Sequence, residues 1–185
     1  YELCNEDSLI FENVSFSYNS DREILHNINF KIEPGKTVGL IGTTGSGKTT
    51  IASLIVRLYD KTSGSILFGN KDIKRISIKD LRKKVAYITQ NIQILNSNIK
   101  DNITFYNPNI TDSDIENALD TMGLRTWIQR YPKGIYTVIG TGGIGLSAGE
   151  EQLISIIRAF LQHPLIVILD EVTSKLDSET ERCLQ

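Results

Sequence analysis

The sequence predicts an α/β fold, and three features carry that expectation. Two β-type runs open the chain, a third breaks into a glycine loop followed by an apolar helical stretch, and a short apolar run near the end stops at two adjacent acids. In the first region Leu9, Phe11, Val14, Phe16 and Tyr18 form a broken alternation, and Leu25, Ile28, Phe30 and Ile32 give a second β-type run. Together they predict a β-rich start. Pro34-Gly35 then supplies a turn. Residues 37–41 read as a strand, Gly42-Thr43-Thr44-Gly45-Ser46-Gly47-Lys48-Thr49 as its loop, and residues 51–58 as a helix.

Strand, glycine loop and helix in that order make a phosphate site, the P-loop. The glycines let successive backbone N–H groups point inward at a polyphosphate, and the helix that begins there adds the positive end of its dipole. Lys48 supplies a mobile cation for the β- and γ-phosphates, and Thr49 a hydroxyl for Mg²⁺. Gly42, Thr43, Thr44, Gly45, Ser46, Gly47, Lys48, Thr49 and Thr50 are therefore the candidate contacts of a nucleoside triphosphate.

Composition narrows the classes. A chain of 185 residues, 40% hydrophobic and 23% charged, suits one globular α/β domain with a buried core. Twenty basic against twenty-two acidic residues leave a net charge of −2, so nothing draws the whole chain to nucleic acid or to an anionic membrane surface. Cys4 and Cys183 lie at opposite ends without metal-ligand spacing, and His26 and His163 stand alone; all four read as structural or incidental. No apolar run approaches the roughly 20 residues that cross a bilayer. The start at Tyr1 and the helical-looking residues 178–185 read as a piece excised from a longer chain.

Further along, residues 65–68, Gly69-Asn70 and residues 71–73 read as a hairpin, residues 77–84 as a short basic helix, and residues 85–89 as a strand. From about residue 92 the character changes to an inserted, mostly helical lobe. Thr111 with Asp114 marks a helix start, and that helix runs to about Met122. Gly140, Gly142, Gly143 and Gly145 break the periodicity before a long helix over residues 148–162, which ends at His163-Pro164. Residues 165–169 read as a buried strand of a parallel sheet. The strand closes on Asp170 and Glu171, the Walker B pattern: Asp170 to hold Mg²⁺, Glu171 to orient or deprotonate an attacking water. Open sheets of this kind bind ligands beyond the carboxyl ends of their strands, where both the loop and the acidic pair lie.

At this point the chain resembles the nucleotide-binding domain of an ABC transporter over essentially its whole length. Tyr18 stands where that family has an aromatic that stacks on adenine. Gln90, in Tyr-Ile-Thr-Gln-Asn, matches the Q-loop glutamine that touches Mg²⁺ and the water. Leu146-Ser147-Ala148-Gly149-Glu150 is similar to the signature, and Thr173-Ser174-Lys175-Leu176-Asp177 to the D-loop. Asn98-Ile99-Lys100-Asp101-Asn102-Ile103, just past Gln90, resembles the exporter branch. Taken singly, Tyr18 also reads as a strand aromatic, Gln90 as a surface amide, and Ser147 as a helix N-cap completed by Glu150. Their order and spacing carry the resemblance.

The resemblance implies a P-loop NTPase (RecA-like) core with an N-terminal antiparallel β subdomain and an inserted α-helical subdomain. It places the β subdomain and ATP-binding core at residues 1–91 and 149–185, and the helical and signature subdomain at 92–148. It implies ATP and Mg²⁺ as ligands, with Thr49, Gln90 and Asp170 at the metal and Lys48, Gln90 and Glu171 in catalysis. Leu146, Ser147, Ala148, Gly149, Glu150 and Asp177 would act in trans, on ATP held by a second nucleotide-binding domain in a head-to-tail dimer. A transmembrane domain would be the other partner, at the cytoplasmic face of a membrane, with no nucleic acid.

Departures accompany it. Ala148 and Glu150 stand where the family norm has Gly and Gln, residues 138–143 lack the charges exporters often carry, and the switch-loop histidine would lie past Gln185. An anion at residue 150 is expected to weaken the positive end of its helix toward a phosphate. Competing readings are a weakly hydrolytic half of a heterodimer, a soluble regulatory ATPase of the same superfamily, a DNA-maintenance ATPase, and a small kinase or GTPase. The absence of heptads between Thr50 and Leu146 speaks against the DNA-maintenance form. The signature, and the lack of an Asn-Lys-x-Asp motif, speak against the last.

Overall fold

The alternation at the start of the chain becomes a four-stranded antiparallel sheet in the computed structural model, which describes residues 8–19, 22–89, 91–141 and 143–170. Strand β1 (Leu9–Ser17) is flanked by β2 (Glu23–Ile32) and β3 (Ser63–Phe68), and β3 turns at Gly69-Asn70 into the short β4 (Lys71–Asp72), giving the order β2-β1-β3-β4. Leu9, Phe11, Val14 and Phe16 of β1 are buried, and Phe11 stacks on Phe30 with centroids 4.4 Å apart. The alternation breaks between Phe11 and Val14 because the ladder shifts register there. Asn13 takes φ 49°, and its N–H donates to Asn29 Oδ1 at 2.8 Å. Gly64 on β3 accommodates this bulge: its φ is 81°, and a Cβ there would lie 2.2 Å from the Asn13 carbonyl oxygen.

Helix α1 (Lys48–Ile55) starts three residues before the apolar run that announces it and stops before the run ends. Arg57, at φ 51°, turns the chain away, and its guanidinium donates to the Ile73 and Ile76 carbonyls. Helix α2 (Ile78–Lys84) follows, capped by Ser77, whose Oγ accepts from Asp80 N–H. Residues 37–41 differ from expectation: they belong to no strand, and Val38, Leu40 and Ile41 are exposed. An apolar run reports what a segment would gain by burial, whereas a strand also needs a partner for its backbone groups. Among the described residues no ladder includes 37–41.

The chain divides into two compact units, the first ending at Val85 and the second starting at Ala86. In the second, α3 (Ile99–Thr104), α4 (Asp112–Thr121), α5 (Arg125–Ile128) and α6 (Ala148–Leu161) share a core built from residues such as Ile103, Leu119, Trp127, Ile139 and Ile154. Thr111 and Asp114 form the expected capping box of α4. The Asn98–Asn102 motif acts locally. Asn98 Oδ1 caps α3 by accepting from Asp101 N–H, while fully buried Asn102 exchanges hydrogen bonds with both backbone groups of Leu95. Arg158 of α6 donates to the Asn102 and Gln93 carbonyls and lies 4.2 Å from the Phe105 ring, which ties the segment after residue 90 to α6.

Strand β6 (Ile166–Leu169) lies beside β5 (Val85–Ile88) in a two-stranded sheet, although the whole helical lobe separates them in sequence. The run expected to be buried alternates between half-buried and exposed, with Val167 52% and Leu169 61% accessible. Its apolar character alone does not cover a second face. Among the described residues no helix is long and apolar enough to cross a membrane.

Candidate functional site

Two helix starts and one strand end carry the candidate residues. In the first unit the loop turns at Thr43, where Ser46 N–H donates to the Thr43 carbonyl at 3.2 Å, and Gly45 and Gly47 take φ of 82° and 91°. Gly47 is the N-cap of α1. It offers no side-chain cap, and the first turn holds no acid, so among the described residues the leading N–H groups of the helix have no side-chain acceptor. A Cβ on Gly47 would stand 2.6 Å from Leu25 Cδ2, so the loop needs glycine there both for its backbone angle and for its approach to β2.

Lys48 folds back over this loop. Its Nζ donates to the Gly42 carbonyl at 2.9 Å and the Thr43 carbonyl at 3.0 Å, which holds an ammonium above a row of backbone groups. Thr49 is exposed. Thr50 is buried, and its hydroxyl is 3.1 Å from the Tyr18 hydroxyl, so what it can offer a ligand is its backbone N–H. Tyr18 is half exposed at 48% and meets Phe16 and Tyr59 edge to face, at 4.8 and 5.0 Å between centroids. That packing and the bond to Thr50 fix the ring beside the start of α1.

In the second unit Asp170 closes β6. Its N–H donates to the Ile88 carbonyl at 3.0 Å, and its Oδ2 accepts from the Tyr87 hydroxyl at 3.0 Å. Ser147 and Ala148 are exposed at the start of α6, Gly149 is buried, and Leu146 packs on the lobe core. Ser147 and Glu150 form a full capping box: Ser147 Oγ accepts from Glu150 N–H at 3.2 Å, and Glu150 Oε2 accepts from Ser147 N–H at 2.8 Å and lies 2.9 Å from Ser147 Oγ.

The other carboxylate oxygen of Glu150 is engaged as well. Oε1 accepts from the Tyr131 hydroxyl at 2.7 Å, which turns the group toward the lobe. Burial works against the charge, but the bonds from Ser147 and Tyr131 hold the carboxyl below its ordinary pKa. Burial and the neighbouring carboxylate together push the Tyr131 phenol up.

Gln90, Gly142, Glu171 and Asp177, with the rest of the D-loop, lie outside the described residues. Sequence reasoning missed Tyr131. It stands between Arg130 and Pro132 with no spacing or motif to mark it, and only the packing of the lobe brings its hydroxyl to Glu150.

A family model described as ABC transporter matches residues 25–174. The mitochondrial iron-sulfur clusters transporter ATM1 of Kluyveromyces lactis is 41% identical over 174 residues, which cover 94% of this chain and 24% of that protein. The ATP-dependent lipid A-core flippase of Idiomarina loihiensis is 41% identical over 179 residues, 96% of this chain and 31% of its own. Among solved structures, a bacterial Atm1-family ABC exporter with ATP bound superposes with a TM-score of 0.89 at 35% identity, covering 97% of this chain and 32% of that one. The chain thus spans about a quarter to a third of the length of these relatives.

Proposed function

The chain belongs to the ABC transporter family as an exporter-type ATP-binding domain with a P-loop NTPase core, and from that premise we propose that it binds and hydrolyses ATP to drive a membrane exporter through head-to-tail dimerisation. The observation that carries this is the start of α1: an uncapped, acid-free helix end with the Lys48 ammonium folded over its glycine loop.

The residues divide the work by chemistry. Backbone N–H groups of Gly42, Thr43, Thr44, Gly45, Ser46, Gly47, Lys48, Thr49 and Thr50 bind the polyphosphate, and Lys48 exchanges loop carbonyls for phosphate oxygens. Tyr18 stacks on adenine. The hydroxyl of Thr49, the carboxylate of Asp170 and the amide oxygen of Gln90 are hard oxygen donors of the kind Mg²⁺ takes. Mg²⁺, when bound there, neutralises charge on the β- and γ-phosphate oxygens. Glu171 orients or deprotonates the attacking water.

Leu146, Ser147, Ala148, Gly149, Glu150 and Asp177 of one copy close on ATP held by the loop of a second nucleotide-binding domain. Residues 1–91 and 149–185 then form the β subdomain and core, and 92–148 the helical subdomain. A transmembrane domain at the cytoplasmic face of the membrane takes up the closing and opening. A second reading, a weakly hydrolytic half of a heterodimer, draws on Ala148 and Glu150 in the signature.

Glu171→Gln in the complete protein tests the proposal. The variant should keep ATP affinity, lose turnover and accumulate as an ATP-bound closed dimer, read by ATPase assay and by cross-linking across the dimer. Hydrolysis at the wild-type rate would refute the role of Glu171.

A further inference from the structure

The start of α6 presents an acid where the proposed function needs a phosphate to approach, and the lobe carries the groups that draw that acid aside. Glu150 Oε2 is engaged by Ser147, and Oε1 by the Tyr131 hydroxyl at 2.7 Å. Tyr131 is itself well held: it is 8% exposed, belongs to the lobe core and meets the Trp127 ring edge to face at 5.6 Å. The box alone does not require this second anchor. In α4 the shorter Asp114 completes an equivalent box with Thr111. The longer reach of Glu150 is what brings its carboxylate to Tyr131.

We propose that Tyr131 is a positioning residue of the signature: its hydroxyl pins the Glu150 carboxylate against the lobe, which keeps the negative charge off the incoming phosphate and, through Glu150, sets where the Ser147 hydroxyl stands. This rests on the reading of Ser147 as a ligand of ATP bound to a second copy. The carboxylate is charged near neutral pH, and three donors of the lobe share it: Ser147 N–H, Ser147 Oγ and Tyr131 Oη. Removing the Tyr131 hydroxyl frees the oxygen farthest from the box. The freed charge then acts on the phosphate through partly screened solvent.

Steady-state ATPase kinetics of the complete protein in its membrane provide the test. Tyr131→Phe keeps the ring and its packing; it should raise KM for ATP about fivefold while kcat moves less than about twofold, the pattern of a lost electrostatic positioning effect. The rise should shrink in high salt, because exposed charges are screened beyond about 8–10 Å near physiological ionic strength. In a Glu150→Gln background the same substitution should add no further rise, since no charge is left to pin.

Glu150→Asp supplies an independent route that leaves Tyr131 untouched. It keeps the charge and the box, as Asp114 does, but withdraws the carboxylate from Tyr131, and it should reproduce the salt-sensitive rise. An unchanged KM in both Tyr131→Phe and Glu150→Asp, or an equal rise from Tyr131→Phe with and without Glu150, would overturn the proposal. Ser147→Ala separates the two levels. If it raises KM while Tyr131→Phe and Glu150→Asp do not, only the positioning role fails; if Ser147→Ala itself has no effect, the trans-acting signature fails with it.

Discussion

Helices α1 and α6 both begin where the proposed function needs a phosphate, yet the chain finishes them in opposite ways. At α1 the N-cap is a glycine with φ 91°, no side chain caps the helix, and no acid sits in the first turn. At α6 a serine caps, an acid returns the bond, and Glu150 and Glu151 both occupy the first turn. A side-chain cap contributes about 0.5–2 kcal/mol to a helix, so α1 forgoes that stabilisation and leaves its N–H groups for a ligand. Helix α6 is satisfied from within, and the exposed Ser147 hydroxyl at its start is itself engaged by Glu150. In the proposed function the first end would bind through backbone and a mobile cation, and the second would meet a ligand already bound elsewhere.

The sharpest way to break this contrast is to remove the cation from the open end. Lys48→Ala should lower the affinity for a fluorescent ATP analogue about 30-fold or more, since hydrogen bonds to charged groups contribute about 1.5–3 kcal/mol each. Unchanged affinity would mean that the loop glycines and the uncapped helix suffice, and that Lys48 serves only its two carbonyls. Equilibrium titration of the complete protein decides it.

A smaller effect is expected at the base. Tyr18→Ala should weaken ATP by about 1–3 kcal/mol, the range alanine substitution gives for stacked bases. GTP should bind as well, with modest discrimination, because a stacked ring reads a π-face. Strict rejection of GTP in a competition titration would show that another side chain reads the adenine edge.

The smallest expected effect belongs to the closed end and is read by pH. Burial disfavours the Glu150 charge, but the Ser147 and Tyr131 bonds outweigh it, so the folded-state pKa lies below the ordinary 4.5. A depressed carboxyl pKa stabilises the fold fully above the unfolded value and loses that contribution as pH falls through the folded one. Thermal unfolding should therefore show the second unit losing stability progressively below pH 4.5, with a shallower fall in Glu150→Gln. The effect is shared: Asp112, Asp114 and Asp120 are held low as well, by Lys100, Thr111 and Arg125 respectively. An identical acid profile for wild type and Glu150→Gln would show that the inward-turned carboxylate contributes nothing to the fold.

Much of this contrast is legible in the chain itself, and for a local reason. The glycine loop, the box at Ser147 and Glu150, the box at Thr111 and Asp114, and the cap at Ser77 all act between residues a few positions apart, where backbone angles and side-chain reach decide the outcome. The alternation of β1 and β2 marks them as strands in the same way, whereas the pairing of β1 with β3 joins distant residues such as Leu9 and Phe68. Residues that need a distant partner were not legible. The run 37–41 has the apolar character of a strand but no ladder among the described residues, and β6 is half exposed where its composition reads as buried. Tyr131 carries no signal at all. Its hydroxyl reaches Glu150 because the lobe core packs α5, the turn after it and α6 together, and that packing sums many nonlocal contacts no short pattern records. The sequence by itself therefore determined the phosphate loop and the caps, which depend on near neighbours, while the tertiary structure alone decided which way the signature acid turns.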